Sequence, residues 1–92
     1  GQLLMEVQDV LKERGSRYGA FTGHAAITQG IKRVMRSGKS WPSLSDAQKE
    51  ALEMVAHKLG RVLNGDPNYA DSWVDITGYT QLIVNELPKN RP

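Results

Sequence analysis

Residues 45–68 read SDAQKEALEMVAHKLGRVLNGDPN, and the reading of this stretch decides the fold. Ser45 followed three places later by Gln48 is a capping box, in which side chain and backbone exchange hydrogen bonds at a helix start. Ala51, Leu52, Val55, Leu59, Val62 and Leu63 then recur at helical spacing and keep one face apolar. Asn64-Gly65 supplies the stop. Gly65-Asp66-Pro67-Asn68 is a turn by composition, and a connection this short brings the next helix back antiparallel. That helix is expected over 70–87, with Trp73, Ile76, Ile83, Val84 and Leu87 turned inward and Pro88 ending it.

Outward from this hairpin the pattern stays helical. Leu3, Leu4, Val7, Val10 and Leu11 predict a first helix over 2–13. The glycine-rich segment 14–23 reads as a connection. A second helix is expected over 23–36, with Ile27, Ile31, Val34 and Met35 as its inner stripe. Trp41-Pro42, in the loop 37–43, is expected to plug the core, Phe21 to act as a lid, and residues 89–92 to fray. No stretch alternates like a strand and nothing repeats. The expectation is therefore all-α: one domain over 1–92, a small four-helix bundle with an antiparallel C-terminal hairpin. Such a thin bundle buries little apolar surface, so a homo-oligomer is expected.

Composition excludes several classes. With no cysteine among 92 residues, disulfides and thiolate chemistry are ruled out. No apolar run is long enough to span a bilayer, and no secretory signal is visible. A protein of a reducing cytoplasm, without a membrane partner, is the expectation. Charge is divided: residues 1–40 hold seven Lys/Arg against three Asp/Glu, and residues 41–92 five against seven, so the halves carry +4 and −2. Lys32, Arg33, Arg36 and Lys39 are too few, and lack a base-reading helix, to make nucleic acid the expected partner.

At about 100° per residue, Asp46, Glu50, Glu53, His57 and Arg61 share one polar strip of the third helix. Glu50 and Glu53, spaced i, i+3, can both reach one hard cation such as Mg²⁺. Asp71 and Asp75 repeat the arrangement at i, i+4 on the fourth helix. Each has a plainer reading: Glu53 with His57 as an intrahelical pair, Asp71 as a carboxylate favoured at a helix N-terminus. His24, at the start of the second helix, and Arg14 and Arg17 before it suit a phosphate. Tyr18, Phe21, Tyr69 and Tyr79 suit stacking on a base.

Two stretches also carry a resemblance. Arg14-Gly15-Ser16-Arg17-Tyr18-Gly19-Ala20-Phe21 is the first. The second runs from Glu50-Ala51-Leu52-Glu53 through His57-Lys58, Arg61 and Asn64-Gly65-Asp66-Pro67 to Asp71-Ser72-Trp73-Val74-Asp75-Ile76-Thr77-Gly78-Tyr79. Together they resemble small phage and prophage proteins, which places the protein in a host cytoplasm. More distantly, they are similar to MazG-type all-α nucleoside triphosphate pyrophosphohydrolases. That likeness implies a MazG-like fold and Mg²⁺ held by Glu50, Glu53, Asp71 and Asp75. It also implies phosphate or nucleotide contacts from Arg14, Arg17, Tyr18, His57, Lys58, Arg61 and Tyr79. The family's second acidic pair is Glu-x-x-Asp; Asp75 matches its end, but Ser72 stands at its start. The functional expectation is a nucleotide-handling protein, either a Mg²⁺-dependent pyrophosphohydrolase or a non-catalytic binder that sequesters a cyclic or other nucleotide signal or binds a host defence protein. A DNA-associated accessory protein is the third reading.

Overall fold

The computed structural model describes residues 2–89, with side chains described from Glu6 onward. It is all-helical, with α1 over Gln2–Tyr18, α2 over Phe21–Arg36, α3 over Asp46–Asn64 and α4 over Ala70–Glu86, and a 3₁₀ turn at Trp41–Ser43. The expected capping box is present: Gln48 N–H donates to Ser45 Oγ and Ser45 N–H donates to Gln48 Oε1. Leu3, Leu4 and the end of the expected frayed tail lie outside the described side chains and residues.

One helix boundary differs from expectation. α1 runs through Gly15 and Ser16 to Tyr18, so Arg14 and Arg17 project from a helix rather than from a loop. Ser16 Oγ donates back to the Glu13 carbonyl, and Arg17 pairs with Glu13 one turn earlier at 2.8 Å. The break comes at Gly19, whose φ of 75° is a left-handed conformation that side chains rarely adopt. Of the glycines in 14–23, the one in the left-handed region ends the helix, and only Gly19 and Ala20 separate α1 from α2.

α3 is the centre of the molecule. α2 packs antiparallel along one side of it and α4 antiparallel along the other, while α2 and α4 barely meet. The result is a layer of three helices with α1 attached at one end. Antiparallel order is evident in Lys32 with Glu53 across α2 and α3, and in Lys58 with Asp75 across α3 and α4. The α2–α3 approach is made possible by Gly60, where His24 and Thr28 lie against the bare Cα and leave no room for a Cβ.

An open layer buries little. Among the described residues only Ala51 and Ala56 are buried apolar side chains. The radius of gyration is 16.3 Å and the longest extent 59 Å, against a radius of about 12 Å for a compact chain of this length. Several residues expected inward are therefore exposed: Val34 at 73%, Trp73 at 51% and Val84 at 61%, with Leu52, Leu63 and Leu87 among them. Trp73 instead donates its indole N–H to the Pro67 carbonyl, tying α4 to the hairpin turn. Phe21 is no lid, being 77% exposed. Trp41 is largely covered, as expected of a plug, with the Lys49 ammonium 5.8 Å from its ring centre.

Gly60→Ala tests the close crossing. It is expected to lower the urea unfolding free energy by about 1–3 kcal/mol, and Thr28→Ala, which removes the obstructing hydroxyl, should recover most of that loss.

Candidate functional site

Asn64, the last residue of α3, reaches across to the α1–α2 corner. Its side-chain amide donates to the Tyr18 and Ala20 carbonyls, each at 2.9 Å. Beside it the Asp66 N–H donates to the Arg17 carbonyl at 2.6 Å. These bonds satisfy the Arg17 and Tyr18 carbonyls, which the end of α1 leaves free, and add to the bond that the Ala20 carbonyl accepts from the His24 N–H. The fit depends on glycine at three places, since a Cβ on Gly19 or Gly23 would strike Asn64 and one on Gly65 would strike Arg17 and Tyr18. The corner and the end of α3 are thereby held as one unit.

Between them lies a cavity of about 470 Å³, within the range of about 300–1,000 Å³ typical of small-molecule sites. α1 contributes Leu11, Arg14, Gly15 and Tyr18 to its wall. Gly19, Ala20, Phe21 and His24 come from the corner and α2, and His57 and Arg61 from α3. The wall thus holds two guanidinium groups and no carboxylate. The α2 N-terminus opens here as well, and Ala20 at the N-cap position offers no side-chain bond to its first N–H groups, which leaves them available to an anion.

Aromatic contacts set the positions of the cations. The Arg61 guanidinium lies 4.2 Å from the Tyr18 ring centre, a stacking that holds it at the cavity wall. Arg17 lies 4.8 Å from the Tyr69 ring centre and donates to the Tyr69 hydroxyl at 3.0 Å. Tyr69 donates in turn to Asp71 Oδ2, and that bond is the main cause of the upward shift of the Tyr69 hydroxyl pKa. Tyr18 and Tyr69 meet edge to face at 6.0 Å.

The two histidines are in T-shaped contact, with ring centres 4.6 Å apart. Burial, then the positive charge of Arg61, then His24 and the lysines Lys58 and Lys32 hold the His57 pKa down at about 4. Burial likewise lowers His24. Both rings are therefore neutral at neutral pH. His24 is 5% exposed and Thr28 3%, and neither His24 Nδ1 nor Thr28 Oγ1 has a hydrogen-bond partner in the protein.

The expected nucleotide contacts divide. Arg14, Tyr18, His57 and Arg61 converge on the cavity, and Arg17 sits beside it, engaged with Glu13 and Tyr69. Lys58 is bound to Asp75 at 2.9 Å, and Tyr79 lies half-buried on α4; neither reaches the cavity wall. Leu11 belongs to the site without having been singled out from sequence, because a leucine on a helical stripe reads as core.

The four acids implied for Mg²⁺ are held apart. Glu53 faces Lys32 at 3.9 Å and Arg36 at 3.7 Å. Asp75 faces Lys58 and Asp71 accepts from Tyr69, while Glu50 is exposed. Among the described residues no three acidic or histidine side chains stand close enough to hold a metal ion. Ser72, at the position where the resembled motif has an acid, is 3% exposed in the α3–α4 seam, where a carboxylate would be costly to bury. The residues of a single chain do not fit the metal centre that the resemblance implies.

The chain belongs to the family described as "Domain of unknown function (DUF6378)", which matches residues 2–86. No curated protein and no solved structure matches it. Among the described residues no helix is long and apolar enough to cross a membrane.

A pH profile tests the neutral His57. Its pKa is lower folded, at about 4, than the ordinary 6.5, so the unfolded chain binds the proton more tightly. Its contribution to stability is complete above pH 6.5 and is lost as pH falls toward 4. The unfolding free energy of the protein minus that of His57→Gln should decline across this window and stay level above it.

Proposed function

We propose that this member of the DUF6378 family binds a nucleotide in the cavity between α1, α2 and α3, without hydrolysing it. The observation that carries the reading is the wall itself: Arg14 and Arg61, the rings of Tyr18, Phe21 and His57, and no carboxylate, around about 470 Å³. Guanidinium groups suit phosphate oxygens, which they engage with paired charged hydrogen bonds. Exposed Phe21 at the mouth offers a face for a base to stack on. The uncapped start of α2 adds N–H donors for the same anion.

The binding branch is favoured over Mg²⁺-dependent pyrophosphohydrolysis by the ion pairs of Glu53 and Asp75, which engage the carboxylates such a reaction would need. In a chain that resembles phage proteins, stoichiometric binding amounts to sequestration of a nucleotide signal in the host cytoplasm, carried out by a homo-oligomer. Neutral His57 can offer a ring N–H to a phosphate oxygen without carrying a charge of its own.

The decisive experiment follows the fate of nucleotides. The protein is incubated with NTPs, dNTPs and cyclic nucleotides plus Mg²⁺, and the free pool is measured by chromatography before and after heat denaturation. One nucleotide is expected to disappear and to return intact on heating. Monophosphate and pyrophosphate in its place would make the protein an enzyme, and an unchanged pool would defeat the reading. For the bound nucleotide, Arg61→Gln should weaken calorimetric affinity by about ten- to a hundredfold, the equivalent of one charged hydrogen bond at about 1.5–3 kcal/mol.

A further inference from the structure

The three-helix layer has two unlike faces. Lys32 of α2, Glu53, His57 and Arg61 of α3, and the Lys58–Asp75 pair mark one of them, and the ligand cavity opens at its end. On the opposite face, helical spacing at about 100° per residue aligns Ile27 and Val34 of α2, Leu52 and Leu63 of α3, and Trp73 and Val84 of α4. Between these, at the same spacing, stand Gly30, Gln48, Val55, Leu59, Thr77 and Thr80. No Lys, Arg, Asp or Glu interrupts the stripes. A furrow of about 220 Å³ runs between α3 and α4 here, floored by Ala51, Val55 and Ile83. Leu63 is 65% exposed.

We infer that a second copy of this chain covers that face, so that two layers close one core between them. Helical domains are built from at least two packed layers, because each helix must bury its apolar stripe against another; a single chain supplies one. Its accessible surface of 6907 Å² compares with about 5,300 Å² for an ordinary folded monomer of this mass. The excess of about 1,600 Å², part of it on α1 where Val7, Val10 and Leu11 are exposed, leaves room for the roughly 800 Å² per partner of a standard interface. An uncharged face meets its own copy across a two-fold axis with no like-charge repulsion.

The charged faces then point outward, and the dimer presents two ligand cavities on opposite sides. The inference stands on the apolar face alone and is independent of what the cavity binds.

Sedimentation equilibrium and thiol labelling test it together. The intact protein should sediment at twice 10.2 kDa at micromolar concentration. Because the chain has no cysteine, Val84→Cys and Asn85→Cys each introduce a single thiol on neighbouring residues of α4. Both positions are exposed in one chain, but only residue 84 lies on the apolar face. Val84→Cys should react with maleimide at least tenfold more slowly than Asn85→Cys, and the difference should vanish in denaturant. A species of 10.2 kDa would overturn the inference, including the case in which a different protein covers the face. A dimer whose two variants label equally fast would overturn it too, since the copies would then meet elsewhere.

Discussion

One side-chain amide holds two parts of this molecule together. Asn64 ends α3 and donates to the carbonyls on either side of Gly19, and the Asp66 N–H closes onto Arg17 next to it. Beyond a two-residue connection, α1 is held by these bonds and by the contacts of Arg17 and Tyr18 with Tyr69 and Arg61, and it makes few other packing contacts. The bonds fix where Arg14 and Tyr18 stand relative to Arg61 and His57, and so they create the cavity. Glycine at 19 is required by its left-handed φ as well as by the closeness of this contact, and at 65 by the closeness.

Placement of the cavity also determines its charge. Arg17, Lys32 and Lys58 are each engaged with a carboxylate, whereas none stands in the wall beside Arg14 and Arg61. Two guanidinium groups therefore stand at the end of the layer, beside the start of α2, with no carboxylate in the wall among the described residues. Two neutral imidazoles complete the wall, kept neutral by burial and by the arginine and lysines around them.

The same architecture explains the exposed apolar side chains. α3 sits between α2 and α4, which do not close around it, so each helix buries one side only. Small residues line the seams: Gly60 against Thr28 on one side, Ala51 and Ser72 toward the α3–α4 contact on the other. These let the helices approach closely while leaving large apolar residues such as Val34, Leu52, Leu63 and Val84 exposed.

Local chemistry was readable along the chain. The capping box at Ser45, the stop at Asn64-Gly65 and the turn through Pro67 depend on hydrogen bonds and dihedral preferences within a few residues, so α3, α4 and their antiparallel return were evident from spacing alone. Of the site, Arg14, Tyr18, His57 and Arg61 were visible as residue types suited to phosphates and bases. The bundle expectation placed Val34, Trp73 and Val84 inward because periodicity tells which side of a helix is apolar, not what covers it. The end of α1 was misplaced for a related reason: Gly15 and Gly19 look alike in sequence, and only the contact with Asn64 distinguishes them. The acids Glu53 and Asp75 were legible as charges, but their partners Lys32, Arg36 and Lys58 come from helix pairings that spacing cannot supply. The sequence by itself therefore determined the helices and their polar and apolar faces, which are set by near neighbours in the chain. Tertiary structure alone decided which charges pair, where the cavity lies and which apolar face is left open, because these depend on contacts between residues tens of positions apart.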